Sequence, residues 1–124
     1  MLLGLGSDVV RVSRVKAALG RHPRLKDRLF TAVEQSACFA VADPYPKCAT
    51  RFAAKEAFLK ALGTGWAKGI AWTDVEVTGG GNAPPQLALH GRAAELFASR
   101  GGGRTYLSLS HDGEYAFAVC ILET

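Results

Sequence analysis

The chain has 124 residues and a mass of 13.1 kDa, the length of one domain, and its 48% hydrophobic and 21% charged content is that of an ordinary folded domain. Disordered, collagen-like and coiled-coil readings are excluded, and a chain of this size buries about two thirds of its unfolded surface. The net charge of +4 is uneven: residues 11–28 hold Arg11, Arg14, Lys16, Arg21, Arg24, Lys26 and Arg28 against Asp27 alone and carry +6, while the other 106 residues carry −2.

A local patch of this kind suits an acidic partner, whether phosphate, membrane surface or acidic protein, or is simply a solvated helix face. No apolar run reaches the ~18–20 residues a membrane span needs. MLLGLGSDVV is too short for a signal peptide and lacks a basic start. Cys38, Cys48 and Cys120 make an odd count without a C-x-x-C pair, so neither a disulfide framework nor a structural zinc site is expected, and the compartment is expected to be cytoplasmic.

LLGLGSDVV reads as a first strand with close backbone contacts at Gly4 and Gly6. Val12, Val15 and Leu19 then form one apolar helical stripe, with Arg11, Arg14 and Arg21 on another face and Gly20 as the stop. Pro23 starts a short helical turn carrying Leu25 and Leu29. Thr31 and Glu34 have capping-box spacing, predicting a helix to about Ala42 before Asp43-Pro-Tyr-Pro46 breaks the pattern.

Residues 50–62, TRFAAKEAFLKAL, are a strong helix ended by Gly63, followed by a loop through Gly65 to Gly69. Alternation predicts a half-buried strand over 70–78, a turn through Gly79–Pro85, and a second strand over 86–90. An amphipathic helix follows over 92–100. Two last strands, 106–110 and 115–122, flank His111-Asp-Gly-Glu114, where Asp-Gly marks a hairpin. The order β-α-α-α-β-β-α-β-β comes in runs, so the fold class is α+β, with helices packed on an antiparallel-rich sheet in a single domain over 1–124.

Three residues are candidates for chemistry. Asp8 stands where the first strand is expected to end, Glu56 sits in an alanine-rich helix, and His111 closes a strand beside Asp112. Each has a structural alternative: Asp8 as an N-cap, Glu56 as a partner of Lys60 or Arg51, His111 as the start of a turn.

In phrases they are more specific. GLGSDVVRVSR, FTAVE, RFAAKEAFLKALGTG, DVEV and LSLSHDGEYAFAV, in this order over nearly the whole chain, resemble the holo-acyl-carrier-protein synthase family of short phosphopantetheinyl transferases. The resemblance implies transfer of 4′-phosphopantetheine from coenzyme A to a serine hydroxyl of apo acyl carrier protein, with release of adenosine 3′,5′-bisphosphate and a need for Mg2+. It implies Asp8 and Glu56 as metal ligands. It implies Glu56, Lys60 and His111 as catalytic residues, with His111 in either a base or a binding role. Lys55, Lys60, Gly63, Gly65, Ser110 and His111 are implied as coenzyme A contacts, Lys55 being the weaker because it lies on a different face from Glu56. Arg14, Arg21 and Arg24 are implied to dock the acidic carrier, and a homotrimer with interfacial active sites is implied as the functional unit.

Two carboxylates suit Mg2+, which takes one or two of them together with substrate phosphates and waters. The chain departs from the family in Cys48-Ala-Thr50 before RFAAKEA, in Ser7, and in Ala83-Pro84-Pro85, where the family has Gly-Lys-Pro. If the family's lysine contacts nucleotide phosphate, another basic residue must replace it here, or affinity falls. The competing readings are a small basic nucleic-acid-binding module and a catalytically inactive coenzyme A-binding relative. The acidic remainder and the lack of aromatics between residues 11 and 29 count against the first, so neither nucleic acid nor membrane is expected as a partner.

Overall fold

The computed structural model describes residues 1–66 and 68–124. Strand β1 (Leu2–Arg11) leads into helices α1 (Val12–Arg21), α2 (Leu25–Leu29), α3 (Ala32–Cys38) and α4 (Tyr45–Leu62). A 3-10 turn at Trp72–Asp74 precedes β2 (Val75–Thr78) and β3 (Gln86–Leu89), and α5 (Gly91–Ser99) precedes β4 (Arg104–Asp112) and β5 (Tyr115–Glu123). The expected α+β order holds, with the turn after Pro23 forming a helix of its own. Strands β1, β5 and β4 form one antiparallel sheet in that order, and β2 with β3 forms a second.

Helix α4 is the centre of the molecule. Twelve of its 18 residues are buried, on every side, which its alanines permit. It lies directly on β1. A Cβ on Gly4 would come within 2.0 Å of the Ala61 carbonyl oxygen, and one on Gly6 within 2.0 Å of that of Ala57. Strand and helix run in opposite directions, and two strand residues (~6.8 Å) nearly match four helical residues (~6.0 Å). The next step of that ladder brings Asp8 alongside the turn of α4 that bears Glu56.

Several boundaries move. Strand β1 runs on to Arg11, so Asp8 pairs with Ala118 inside the sheet and caps no helix. The start of α1 is held by Glu114 from the β4–β5 hairpin, whose main-chain oxygen accepts from Val12 N–H at 2.7 Å and whose Oε1 accepts from Ser13 N–H at 3.0 Å. Gly20 lies within α1. Helix α3 stops at Cys38, and α4 starts early because Pro46, in its first turn, needs no N–H partner. The first half of the expected 70–78 strand is the 3-10 turn, tied by Asp74 Oδ2 accepting from Ala71 N–H at 3.1 Å.

The capping box forms as read: Thr31 Oγ1 accepts from Glu34 N–H at 3.2 Å, and Glu34 Oε1 accepts from Thr31 N–H at 2.9 Å. Gly63 takes a left-handed φ of +80° as the C-cap of α4.

The two faces of the main sheet differ. Gly6, Ala116, Ala118, Cys120 and Leu122 face α4 and are buried. On the far face Leu5, Val9, Tyr106, Tyr115 and Phe117 are exposed, forming an apolar surface that no element of this chain covers among the described residues.

Candidate active site

A cleft of about 500 Å³ opens between α1, α2, β1 and α4. Asp8 and Glu56 line it, with Arg14 and Arg28 on its helical walls and Phe52 and Trp72 on its apolar side. The sheet delivers Asp8, and α4 delivers Glu56 and Phe52 from positions one turn apart.

Asp8 is mostly buried, and its Oδ1 accepts a hydrogen bond from Lys60 Nζ at 3.0 Å. Lys60 also donates to the Ser7 carbonyl at 3.0 Å, yet more than half of its side chain stays in solvent. Its ammonium can therefore reach a ligand in the cleft. Glu56 is held above the usual carboxylate range. Burial is the main cause, and the negative charge of Asp8 adds to it, while a hydrogen bond from Trp66 and the charge of Lys60 pull the other way. A buried carboxylate whose ionisation is opposed by burial and by a neighbouring carboxylate makes a place where a cation is favoured. Among the described residues no cluster of three or more His, Cys, Asp or Glu could hold a metal. The donor set is thus two hard carboxylates, which fits Mg2+ and does not fit zinc.

Lys55 is a correction. Its side chain is fully buried and points away from the cleft. Nζ donates to Glu34 Oε1 at 2.8 Å, to the Trp72 carbonyl at 3.1 Å and to the Val75 carbonyl. An ammonium has three protons, and all three are used. Lys55 is a structural cation with no donor left for a nucleotide. Burial pushes it below the usual lysine range, and Glu34 opposes that shift.

The other expected residues are placed as follows. Gly63 and Gly65 begin the loop after α4 and adopt left-handed backbone, with no atom crowding Gly65. Ser110 lies opposite Phe117 and so points to the far face of the sheet, away from Asp8. His111 lies in register with Ala116 and Val10, on edge strand β4. Two strand spacings and two residues of rise put it roughly 12 Å from Asp8. Within one chain neither Ser110 nor His111 joins the Asp8–Glu56 pair.

The basic stripe divides into two sets. Arg11 lies over the ring of Tyr115, Lys16 over Tyr45 and Lys26 over Phe39. Arg14, Arg21, Arg24 and Arg28 have no acidic or aromatic partner among the described residues. Arg14 and Arg21 flank one groove on α1, and Arg14 also lines the cleft. The free arginines thus lead from the surface to the carboxylates.

Sequence reading overlooked Arg28, because its place on the cleft depends on how α2 packs. It overlooked Arg51 as well. That guanidinium is buried, donates to the carbonyls of Gly79 and Lys47, and leaves Nε without a partner. A buried cation beneath a glycine turn, with no carboxylate on it, is a signal only the structure provides.

A family model described as the 4′-phosphopantetheinyl transferase superfamily matches residues 4–120. The chain belongs to that superfamily. It is 51% identical over 123 residues to a holo-[acyl-carrier-protein] synthase of Syntrophotalea carbinolica, covering 98% of this chain and 96% of the relative. It is 46% identical to one of Geobacter metallireducens, covering 99% and 98%. Among solved structures it matches the holo-[acyl-carrier-protein] synthase of Neisseria meningitidis with a TM-score of 0.90 at 26% identity, covering both chains completely. It matches that of Bacillus anthracis, in complex with coenzyme A (3′,5′-ADP), with a TM-score of 0.82 at 29% identity, covering 100% and 98%. The family read from the sequence phrases is the family found.

Proposed function

We propose that this chain transfers 4′-phosphopantetheine from coenzyme A to a serine hydroxyl of apo acyl carrier protein, releasing adenosine 3′,5′-bisphosphate. The observation that carries the reading is the cleft that Asp8 and Glu56 line together, with Lys60 bonded to Asp8, at the end of a path of arginines. Its relatives bear the name of this activity over the full length of the chain.

Asp8 and Glu56 would hold Mg2+. Held by these two residues, the ion would supply positive charge to the phosphate under attack and to the leaving group. Lys60, anchored on Asp8, offers its exposed ammonium to the same phosphates. Arg51 lies under the Gly79–Pro85 turn and, through its bond to the Gly79 carbonyl, holds that turn in place.

The carrier docks along Arg14, Arg21 and Arg24. Each exposed pair is worth about 0–1 kcal/mol, so their joint effect is to steer and orient. The net acidic remainder of the chain and the lack of aromatic residues between 11 and 29 favour an acidic protein over a nucleic acid as the partner of these arginines.

The functional unit is a homotrimer. The exposed apolar face of the main sheet is the surface that needs a partner, and Ser110 stands on it. Coenzyme A contacts from Ser110 and His111 then serve a neighbouring chain's carboxylates, and Gly63 and Gly65 shape the loop beside their own. His111 binds nucleotide in this arrangement. No helix is long and apolar enough to cross a membrane among the described residues. The three cysteines are buried and unbridged, as in a cytoplasmic protein.

The test is carrier mass after incubation with coenzyme A and Mg2+. A gain of one phosphopantetheine, abolished by EDTA and reduced on the order of 10²–10³-fold in rate by Glu56→Gln, is expected. No gain on any acyl carrier protein would overturn the reading.

A further inference from the structure

The loop after α4 contains Gly63, Gly65 and Gly69, all in left-handed backbone, yet one side chain of that loop is tightly placed. Trp66 lies against Trp72 with ring centroids 3.6 Å apart and planes tilted by 36°. Trp72 in turn stacks on Phe52 at 5.1 Å and 21°. The stack is anchored at its centre, because the Trp72 carbonyl accepts from buried Lys55. Phe52 and Glu56 are four residues apart on α4 and share a face. At the open end of the stack, Trp66 Nε1–H donates to Glu56 Oε1 at 3.4 Å. That is the sole hydrogen bond to the Glu56 carboxylate from the described residues, which offer Oε2 no donor.

We propose that Trp66 is a positioning residue for Glu56: its indole N–H fixes Oε1 and so keeps Oε2 oriented for a divalent cation shared with Asp8. The inference rests on the reading that Asp8 and Glu56 bind that cation. The two carboxylates are held differently. Asp8 is held by a charged ammonium, which repels a metal ion and is suited to reach phosphate instead. Glu56 is held by a neutral donor, which orients the carboxylate without opposing the cation's charge. A neutral hydrogen bond to a ligating group is the kind of outer contact that sets metal affinity. The aromatic stack keeps this donor in place on a loop that is otherwise rich in glycine.

The experiment is a Mn2+ titration of the full chain with coenzyme A present, followed by electron paramagnetic resonance, for the wild type and Trp66→Phe. Phenylalanine keeps a ring against Trp72 and removes the N–H. Outer contacts of metal sites are worth about 10–100-fold in affinity, and for a long neutral bond the lower end, a Kd for Mn2+ raised about tenfold, is expected. Turnover should return to near the wild-type value at high Mg2+, with KM for the carrier unchanged. Trp66→His, which restores a ring N–H, should recover part of the affinity. Equal Mn2+ affinity in wild type and Trp66→Phe would overturn the inference and leave the carboxylate pair intact. A loss of turnover that excess metal cannot restore would also overturn it. A wild type that takes up no Mn2+ would overturn the cation reading and this one with it.

Discussion

Replacing Lys55 by Met tests whether its ammonium belongs to the core or to the substrate. The substitution keeps most of the volume and removes the charge. Glu34 then retains its bonds from Thr31 N–H at 2.9 Å and Val77 N–H at 2.8 Å but loses its only buried cation. The carbonyls of Trp72 and Val75 lose a donor as well. Breaking a fully buried pair by removing one partner costs about 3–5 kcal/mol. Against a total stability of about 5–15 kcal/mol that is a large fraction. For a chain of this length it lowers Tm by roughly 10–25 °C. The assay is urea and thermal unfolding by circular dichroism at one fixed protein concentration, since assembly would shift Tm by mass action. Lys55→Met with Glu34→Gln should recover only the charge part of the loss, because a neutral amide needs no counter-charge but turns its NH2 toward the N–H of Thr31 or Val77. A Lys55→Met chain of wild-type stability whose KM for coenzyme A has risen would refute the reasoning and return Lys55 to the nucleotide.

Charge reversal at Arg14 and Arg21 together should raise KM for the carrier at least tenfold, steepest at low salt, and leave coenzyme A binding within about twofold; steady-state kinetics across ionic strength would show it, and a salt-independent KM would count against docking there. Phe117→Glu, on the far face of the main sheet, should shift the chain to a monomer in sedimentation velocity and remove activity with it. A fully active monomer would contradict the interfacial site. Asp8→Asn should lower transfer on the order of 10²–10³-fold while leaving the unfolding midpoint close to wild type, read by carrier mass against time and by urea unfolding.

Local chemistry made much of this molecule legible. The Thr31–Glu34 box, the Gly63 stop, the alanine-rich α4 and the Asp-Gly hairpin are signals whose partners lie within a few residues. The misreadings share the opposite property. The end of β1 is decided by Glu114, 101 residues from Ser13, so Asp8 reads as a cap when it is part of a sheet. Lys55 reads as a ligand because its partner Glu34 is 21 residues away on another helix. Trp66 carries no motif at all, and its role depends on three aromatic rings that come from separate segments. Ser110 and His111 mark a limit of another kind. Their phrase is distinctive, yet one chain turns Ser110 to the far face of the sheet and leaves His111 roughly 12 Å from Asp8, so the chain's own fold gives them no place beside the carboxylates.

Where α4 rests on Gly4 and Gly6, main chain touches main chain. No rotamer, and no compressible side chain, lies between the strand that carries Asp8 and the helix that carries Glu56. The gap between the two main chains that carry these carboxylates is therefore set by the thickness of two backbones, a dimension that repacking of core side chains does not alter. The chain's most exacting tolerance is thus kept by residues that have no side chain to vary.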